Sequence, residues 1–158
     1  IRYPGSSPLQ YSALQQLKET ERLNIRVEFL LRAPRSPQSL AQIMNEWPAP
    51  GAGDAWLKIG GVKLGVDGGF EGGLMREPYE EPWGEGGAFS GLQTVPREPF
   101  VETVRALHAS GWRVATHAVG DAAIDLVLDN VLRSLGLRLG YADLDVDGTL
   151  CSQAVLVQ

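Results

Sequence analysis

Three stretches of the chain alternate apolar and polar positions with the period of two that a β-strand imposes. In the clearest, Val62, Leu64 and Val66 point one way and Lys63, Gly65 and Asp67 the other, before Gly68-Gly69 opens a glycine-rich loop. Ile25, Val27, Phe29 and Leu31 oppose Arg26 and Glu28, which predicts a second strand; Val114, Thr116 and Ala118 oppose Arg113, Ala115 and His117, which predicts a third. Trp56-Leu57-Lys58-Ile59 leads into the stretch at Val62.

Helical periods fall between these strands. Ala13, Leu14 and Leu17 support a helix from Leu9 to about Thr20. Ser36 and Pro37 supply a cap and a first helical position for a short helix through Leu40, Ile43 and Met44. From Pro96 to Ser110, Phe100, Val101, Val104 and Leu107 share one face, and Gly111 follows the end. Asp121 stands where an N-cap belongs for a helix carrying Ile124, Leu128, Val131 and Leu135, with Gly136 stopping it. Pro4, Gly5, Ser6, Ser7 and Pro8 predict an irregular start, and Pro48 to Gly53 a loop. Phe70 to Val95 has little periodicity. A loop of about 25 residues is usually functional or disordered. Its aromatics (Tyr79, Trp83, Phe89) favour an ordered loop, with a lid over a substrate site as the functional reading.

The predicted order is α-β-α-β-loop-α-β-α, and strands separated by helices pair in parallel through right-handed crossovers. A doubly covered open sheet needs two apolar faces, whereas each of these strands has one apolar face and one polar or small face. The fold class is therefore α/β: a partial (β/α)8 TIM-type barrel with about three βα units visible, where a whole barrel has eight in roughly 250 residues. Residues 1–135 form this partial barrel, and residues 136–158 an acidic tail of different character.

Composition narrows the function. With 158 residues, 44% hydrophobic and 21% charged, the chain has the make-up of an ordinary globular domain with a real core. The net charge of −5 weighs against nucleic acid or an anionic membrane as partner. Cys151 is the single cysteine, so no intrachain disulfide forms, and no apolar run reaches the roughly 20 residues that span a bilayer. The default compartment is cytoplasmic. The first residue is Ile1 rather than Met, which suggests a piece of a longer or processed chain.

Two residues stand out chemically. His117 ends a strand, and imidazole at a strand end is a favoured transition-metal ligand, although a single such histidine is more often structural. Asp121, four residues on, could hold a ligand, orient a water or cap a helix. Lys63 lies on an inward strand face, which is costly unless the amine is paired or neutralised. One reading is an ion pair with Asp67 or Glu28. The other is an amine that reacts with carbon dioxide to give a carbamate, whose two oxygens can bridge metal ions. His108, beside Leu107 on a helix, reads as structural or surface.

Together, Trp56-Leu57-Lys58-Ile59-Gly60-Gly61-Val62-Lys63-Leu64-Gly65-Val66-Asp67-Gly68-Gly69 and Gly111-Trp112-Arg113-Val114-Ala115-Thr116-His117-Ala118-Val119-Gly120-Asp121 resemble the amidohydrolase superfamily, most closely the amidohydrolase-3 branch that includes N-substituted formamide deformylase. Glu77-Pro78-Tyr79 is similar to that branch as well, and the resemblance spans roughly Tyr11 to Leu135. It implies a (β/α)8 barrel of metal-dependent hydrolases acting mostly on non-peptide carbon–nitrogen bonds of small-molecule substrates. Lys63 then matches the strand-four lysine, which in such proteins can be a carboxylated metal bridge, and His117 the strand-five histidine ligand. The implied cofactor is a divalent metal, zinc first, as one or two ions.

The sequence also departs from that pattern. The family's first-strand His-x-His pair is absent, for His108 and His117 are the only histidines. No later strand supplies the further histidine or the catalytic Asp, so the chain is expected to be a middle piece of the barrel. Its alternative role is a catalytically silent fragment that self-associates, or joins the other part of the barrel, through open sheet edges. A third reading is a barrel enzyme in which Lys63 meets a carbonyl or phosphate. In the tail, Asp143, Asp145, Asp147 and Gly148 match the start of a calcium loop, but position 12 is Ala154 instead of Glu. The same residues resemble the Asp-x-Asp-Gly-Thr of haloacid-dehalogenase-like phosphatases, which need a domain downstream. An acidic turn before a short strand, Ala154 to Val157, is the plainer expectation.

Overall fold

The computed structural model describes residues 1–34, 36–80, 84–128 and 153–156. Their order is β1 (Arg2–Ser6), α1 (Pro8–Glu19), β2 (Val27–Arg32), α2 (Pro37–Met44), β3 (Leu57–Gly65), α3 (Arg97–Ala109), β4 (Val114–His117), α4 (Asp121–Val127) and β5 (Gln153–Leu156), with a 3₁₀ turn at Glu85–Gly87. The strands lie side by side in chain order, β1 to β4 parallel and β5 antiparallel to β4. Four parallel strands with intervening helices make a half-barrel, the partial TIM-type barrel that the alternation predicts.

One expectation is corrected. The breaker-rich start forms β1 and raises the parallel strands from three to four. Proline is excluded from central strands because it cannot donate to the ladder, but an edge strand tolerates it. Among the described residues β1 pairs only with β2, and its register slips between Tyr3 and Ser6, across Pro4 and Gly5. Tyr3 stacks near Phe29, ring centres 5.8 Å apart, and Tyr11 of α1 meets the same ring at 5.2 Å. The remaining helices appear where the pattern puts them. The Ser36 hydroxyl accepts from Ser39 N–H at 3.4 Å at the start of α2, and Gly111 takes a φ of 78° just past α3. Of the final helix only α4 and Leu128 are described; Val131, Leu135, Gly136 and the Asp143–Asp147 run lie outside the described residues.

The core lies between the sheet's outer face and the helices. Val27, Phe29 and Leu31 of β2, Leu57, Ile59, Val62 and Leu64 of β3, and Val114 of β4 join Leu40, Phe100, Val104 and Leu107 in one buried cluster. Leu30 and Ala115 are also buried yet stand outside that cluster, as residues of the opposite, inner face should. β3 is apolar on one face along its whole length only because it bulges. Phe29 pairs with Ile59, but Leu30 pairs with Gly61, so Gly60 is an extra residue. Gly61 adopts a φ of 154°, and a Cβ there would stand 2.6 Å from the Arg113 carbonyl oxygen. A Cβ on Gly60 would stand 2.1 Å from Glu28 Cγ. Both positions therefore require glycine.

The room those glycines leave is filled by charge. Glu28, on the inner face at the N-terminal end of the strands, is 3.0 Å from Arg2, 3.1 Å from Arg113 and 3.9 Å from Lys58. One carboxylate thus links side chains from β1, β3 and the start of β4. A cavity of about 410 Å³ opens beside it, floored by Gly60 and Gly61 and walled by Trp112. Burial pushes the Glu28 carboxyl up, but the Arg2 hydrogen bond and the charges of Arg2, Lys58 and Arg113 outweigh it and hold the group below its ordinary value.

Glu28→Gln should cost about 2 kcal/mol at neutral pH, since three cations would face a neutral amide. Because the folded carboxyl lies below its ordinary 4.5, its contribution is complete above that value and lost as pH falls through the folded one. Urea unfolding followed by circular dichroism, from neutral pH down to about pH 3, should show the gap between wild type and variant closing only below the ordinary value.

Candidate functional site

The C-terminal ends of β3 and β4 bring the sequence-predicted residues together. Lys63 pairs with Ala115 and Gly65 with His117, and parallel partners share a face. Lys63, Gly65 and His117 therefore all lie on the inner face. Two residues of rise and one strand spacing put the Lys63 and His117 backbones about 8 Å apart. Gly65 lies between them, and a Cβ there would meet only His117 Cβ, at 3.8 Å, so the space above it is open. Lys63 is half-buried, with its Nζ sealed from solvent.

His117 is held by its ring. Its Nε2 lies 2.9 Å from the Gly68 carbonyl oxygen. A carbonyl only accepts, so Nε2 carries the proton and, in the neutral ring, Nδ1 carries the lone pair. The side chain keeps 35% of its surface exposed. Next to it the Asp67 side chain is fully buried, with Oδ1 3.9 Å from His117 Nε2. That carboxylate accepts from the backbone N–H of Leu74 at 3.1 Å, of Val119 at 3.1 and 2.9 Å, and of Gly120 at 2.8 Å. Glu28 gathers three cations at the far end, and Asp67 gathers backbone amides.

The Phe70 to Val95 stretch is an ordered loop folded back on itself. Leu92 N–H donates to Gly72, Met75 N–H to Ser90 and Tyr79 N–H to Phe89, at 2.9, 2.7 and 3.0 Å. The Tyr79 and Phe89 rings stack at 5.7 Å, and the Tyr79 hydroxyl donates to the Gly73 carbonyl at 2.8 Å. Trp83 lies outside the described residues.

The loop is latched to α4. Arg76 Nε donates to Asp125 at 2.7 Å, its Nη2 reaches the same carboxylate, and its backbone N–H donates to Asp121 Oδ1 at 2.9 Å. Asp121 is accordingly the first residue of α4 rather than its cap, which is Gly120. The shift has a steric cause: a Cβ on Gly120 would sit 1.8 Å from the Leu74 carbonyl oxygen, so only glycine lets the loop base approach there. A cavity of about 680 Å³ lies between this loop and α4, lined by Met75 to Glu80 and Asp121. His108 sits half-buried in the last turn of α3.

A half-barrel that gathers a strand-end histidine, a buried lysine amine and a folded loop at the C-terminal ends of its strands has the layout of (β/α)-barrel enzymes, whose sites lie at that end. A sequence model of the amidohydrolase family, in its amidohydrolase-3 branch, matches residues 2–153, and the chain belongs to that family. Two solved structures share the fold. They are uncharacterized metal-dependent hydrolases from Pyrococcus horikoshii OT3 and Pyrococcus furiosus, each 28% identical, with TM-scores of 0.68 and 0.69 over 86% of this chain. The chain spans only 26% and 27% of those two proteins. It is also 37% identical to the Arabidopsis thaliana protein LONG AFTER FAR-RED 3 over 76 residues, 47% of this chain and 12% of that protein.

Sequence reasoning put Lys63 and His117 on the inward face, where the register places them, but missed the hydrogen-bonding partners of Gly68, Asp67 and Arg76. Asp67 before Gly68-Gly69 was a visible signal; its acceptor role was not, because Val119 and Gly120 lie some fifty residues downstream.

Arg76→Ala should change global stability by less than about 1 kcal/mol, since the pair is exposed. It should nevertheless loosen the loop. Thermolysin cleavage near Leu74 and Met75 should accelerate severalfold, while the unfolding midpoint hardly moves.

Proposed function

We propose that the complete protein is a metal-dependent hydrolase of non-peptide, amide-type carbon–nitrogen bonds in small molecules, and that this chain supplies Lys63 and His117 to its metal centre. The observation that carries the reading is the set of His117: Nε2–H is committed to the Gly68 carbonyl, which leaves Nδ1 to ligate. A ligating histidine characteristically donates its other ring N–H to a backbone carbonyl or carboxylate, which fixes its tautomer. Open space above Gly65 and the buried Lys63 amine on the same face fit an ion there. Among the described residues no group of three or more His, Cys, Asp or Glu could hold a metal, so further ligands and the general base belong to the rest of the barrel.

A divalent ion, zinc first, would supply Lewis acidity toward the scissile carbonyl and lower the pKa of a bound water toward about 7. This chain's residues prepare the place for one or two such ions. His117 would present Nδ1, with Nε2–H held by the Gly68 carbonyl. Lys63, once deprotonated, attacks carbon dioxide. An N–C bond forms, a proton leaves to solvent, and the resulting carbamate offers two oxygens and one negative charge.

A second reading, a catalytically silent half-barrel that self-associates, draws on β1, whose outer edge meets no strand among the described residues.

Zinc content of the purified chain, measured by plasma mass spectrometry beside His117→Ala and Lys63→Ala, tests the site. Near-stoichiometric zinc, bound at least about tenfold more weakly in both variants, is the expected result. Metal retained in both would overturn the assignment of Lys63 and His117. No metal in any of the three, with oligomers in sedimentation, would favour the silent fragment.

A further inference from the structure

We propose that Asp67 is the positioning residue for His117, and that the same carboxylate ties the base of the 70–95 loop to the His117 strand end. The proposal deepens the metal-site reading and rests on it for its functional meaning, though its geometry stands apart. Asp67 is a fully buried carboxylate, and the His117 ring lies 3.9 Å from it. Burying such a charge is tolerated because backbone N–H groups replace water around it. Val119 and Gly120, which donate to it, come one residue beyond the strand that ends in His117; Leu74 begins the loop arm that packs on α4.

These contacts close a ring. Asp67 is followed by Gly68, whose carbonyl receives His117 Nε2–H. His117 is followed by Val119 and Gly120, whose amides return to Asp67. Val66 N–H donates to the His117 carbonyl at 3.1 Å and completes the link between the strand ends. The imidazole cannot turn to offer Nε2 without giving up the Gly68 carbonyl, and that carbonyl cannot move while Asp67 grips both neighbouring segments. Leu74 extends the grip to the loop, so the loop base and the ring orientation share one acceptor. This is a positioning role: Asp67 acts through His117.

The test uses the metal-free chain, so it separates this proposal from the hydrolase reading. Long-range ¹⁵N–¹H spectra of the histidine rings, with His117 assigned from His117→Gln, should show the Nε2–H tautomer in wild type. In Asp67→Ala the His117 signals should move to an average of both tautomers. Exchange of the Leu74, Val119 and Gly120 amides should accelerate at least tenfold, while Phe29 and Val62 amides stay protected. Thr116→Val, a buried change on the other face of β4, should leave the tautomer as in wild type. A His117 ring that stays Nε2–H in Asp67→Ala, or that is Nδ1–H in wild type, would overturn the proposal. Should Asp67→Ala fail to fold, scalar couplings across the hydrogen bonds from Val119 and Gly120 to the Asp67 carboxylate decide in wild type, and their absence overturns it. Loss of zinc binding by the chain would instead sink the hydrolase reading and leave this one standing.

Discussion

The phase of β3 is the constraint on which the rest of this half-barrel depends. A strand alternates faces at every residue, so one residue of slip sends its whole apolar set to the wrong side. Leu57 and Ile59 must face the helices, and so must Val62, Leu64 and Val66, yet the two sets are out of step by one. The bulge at Gly60 restores the step. Without it, Lys63 and Asp67 would enter the helix layer and Val62 and Leu64 would face the barrel interior. The glycines that allow the bulge also let Glu28 and the Arg113 backbone close in from either side. Packing on the outer face and chemistry on the inner face are thus set by the same two residues.

The inner face is divided along its length. At the N-terminal end Glu28 satisfies cations from neighbouring strands, an arrangement concerned with holding strands together. At the C-terminal end the groups are held differently. Asp67 is neutralised by backbone amides rather than by a cation, His117 by a carbonyl rather than by a carboxylate. A cation placed against Asp67 or His117 would compete with any metal bound nearby. Solvation by neutral backbone dipoles fixes geometry and leaves the local field free to be set by what binds. That difference suits the C-terminal end, rather than the more highly charged opposite end, to the proposed function.

Most of this was legible in the sequence for one reason: burial on a single face writes itself as alternation. The strands at Val27, Val62 and Val114, the helices between them and the barrel class all follow from it, as does the inward placing of Lys63 and His117. Three things were not. β1 was hidden because its proline and glycine veto a central strand, and nothing local says that a strand will lie at an edge. The fold of the 70–95 loop was hidden because its order comes from cross-loop backbone bonds, which leave no periodicity. The function of Asp67 was hidden because its partners are amides, and every residue but proline has one. Capping at Asp121 was misplaced by one position, since the close pass of Leu74 over Gly120 outweighs the intrinsic preference of Asp for a cap.

Under the proposed function, a centre shared between this chain and the remainder of a barrel has a physical consequence. A metal ion repays the dehydration of its ligands only when several donors converge. Under the proposed function Lys63 and His117 approach an ion from one side, and donors on the opposite wall of a barrel would add to its affinity. What the half-site can do alone is be ready. His117 in one tautomer, held by the ring through Asp67 and Gly68, and a lysine amine out of water need no ion to stay in place, because their supports are backbone groups of the same half. Preorganisation of this kind moves the ordering cost from the moment of binding to the moment of folding. The affinity of the completed centre then depends chiefly on how well the missing wall presents its own donors, and much less on rearrangement of Lys63 and His117.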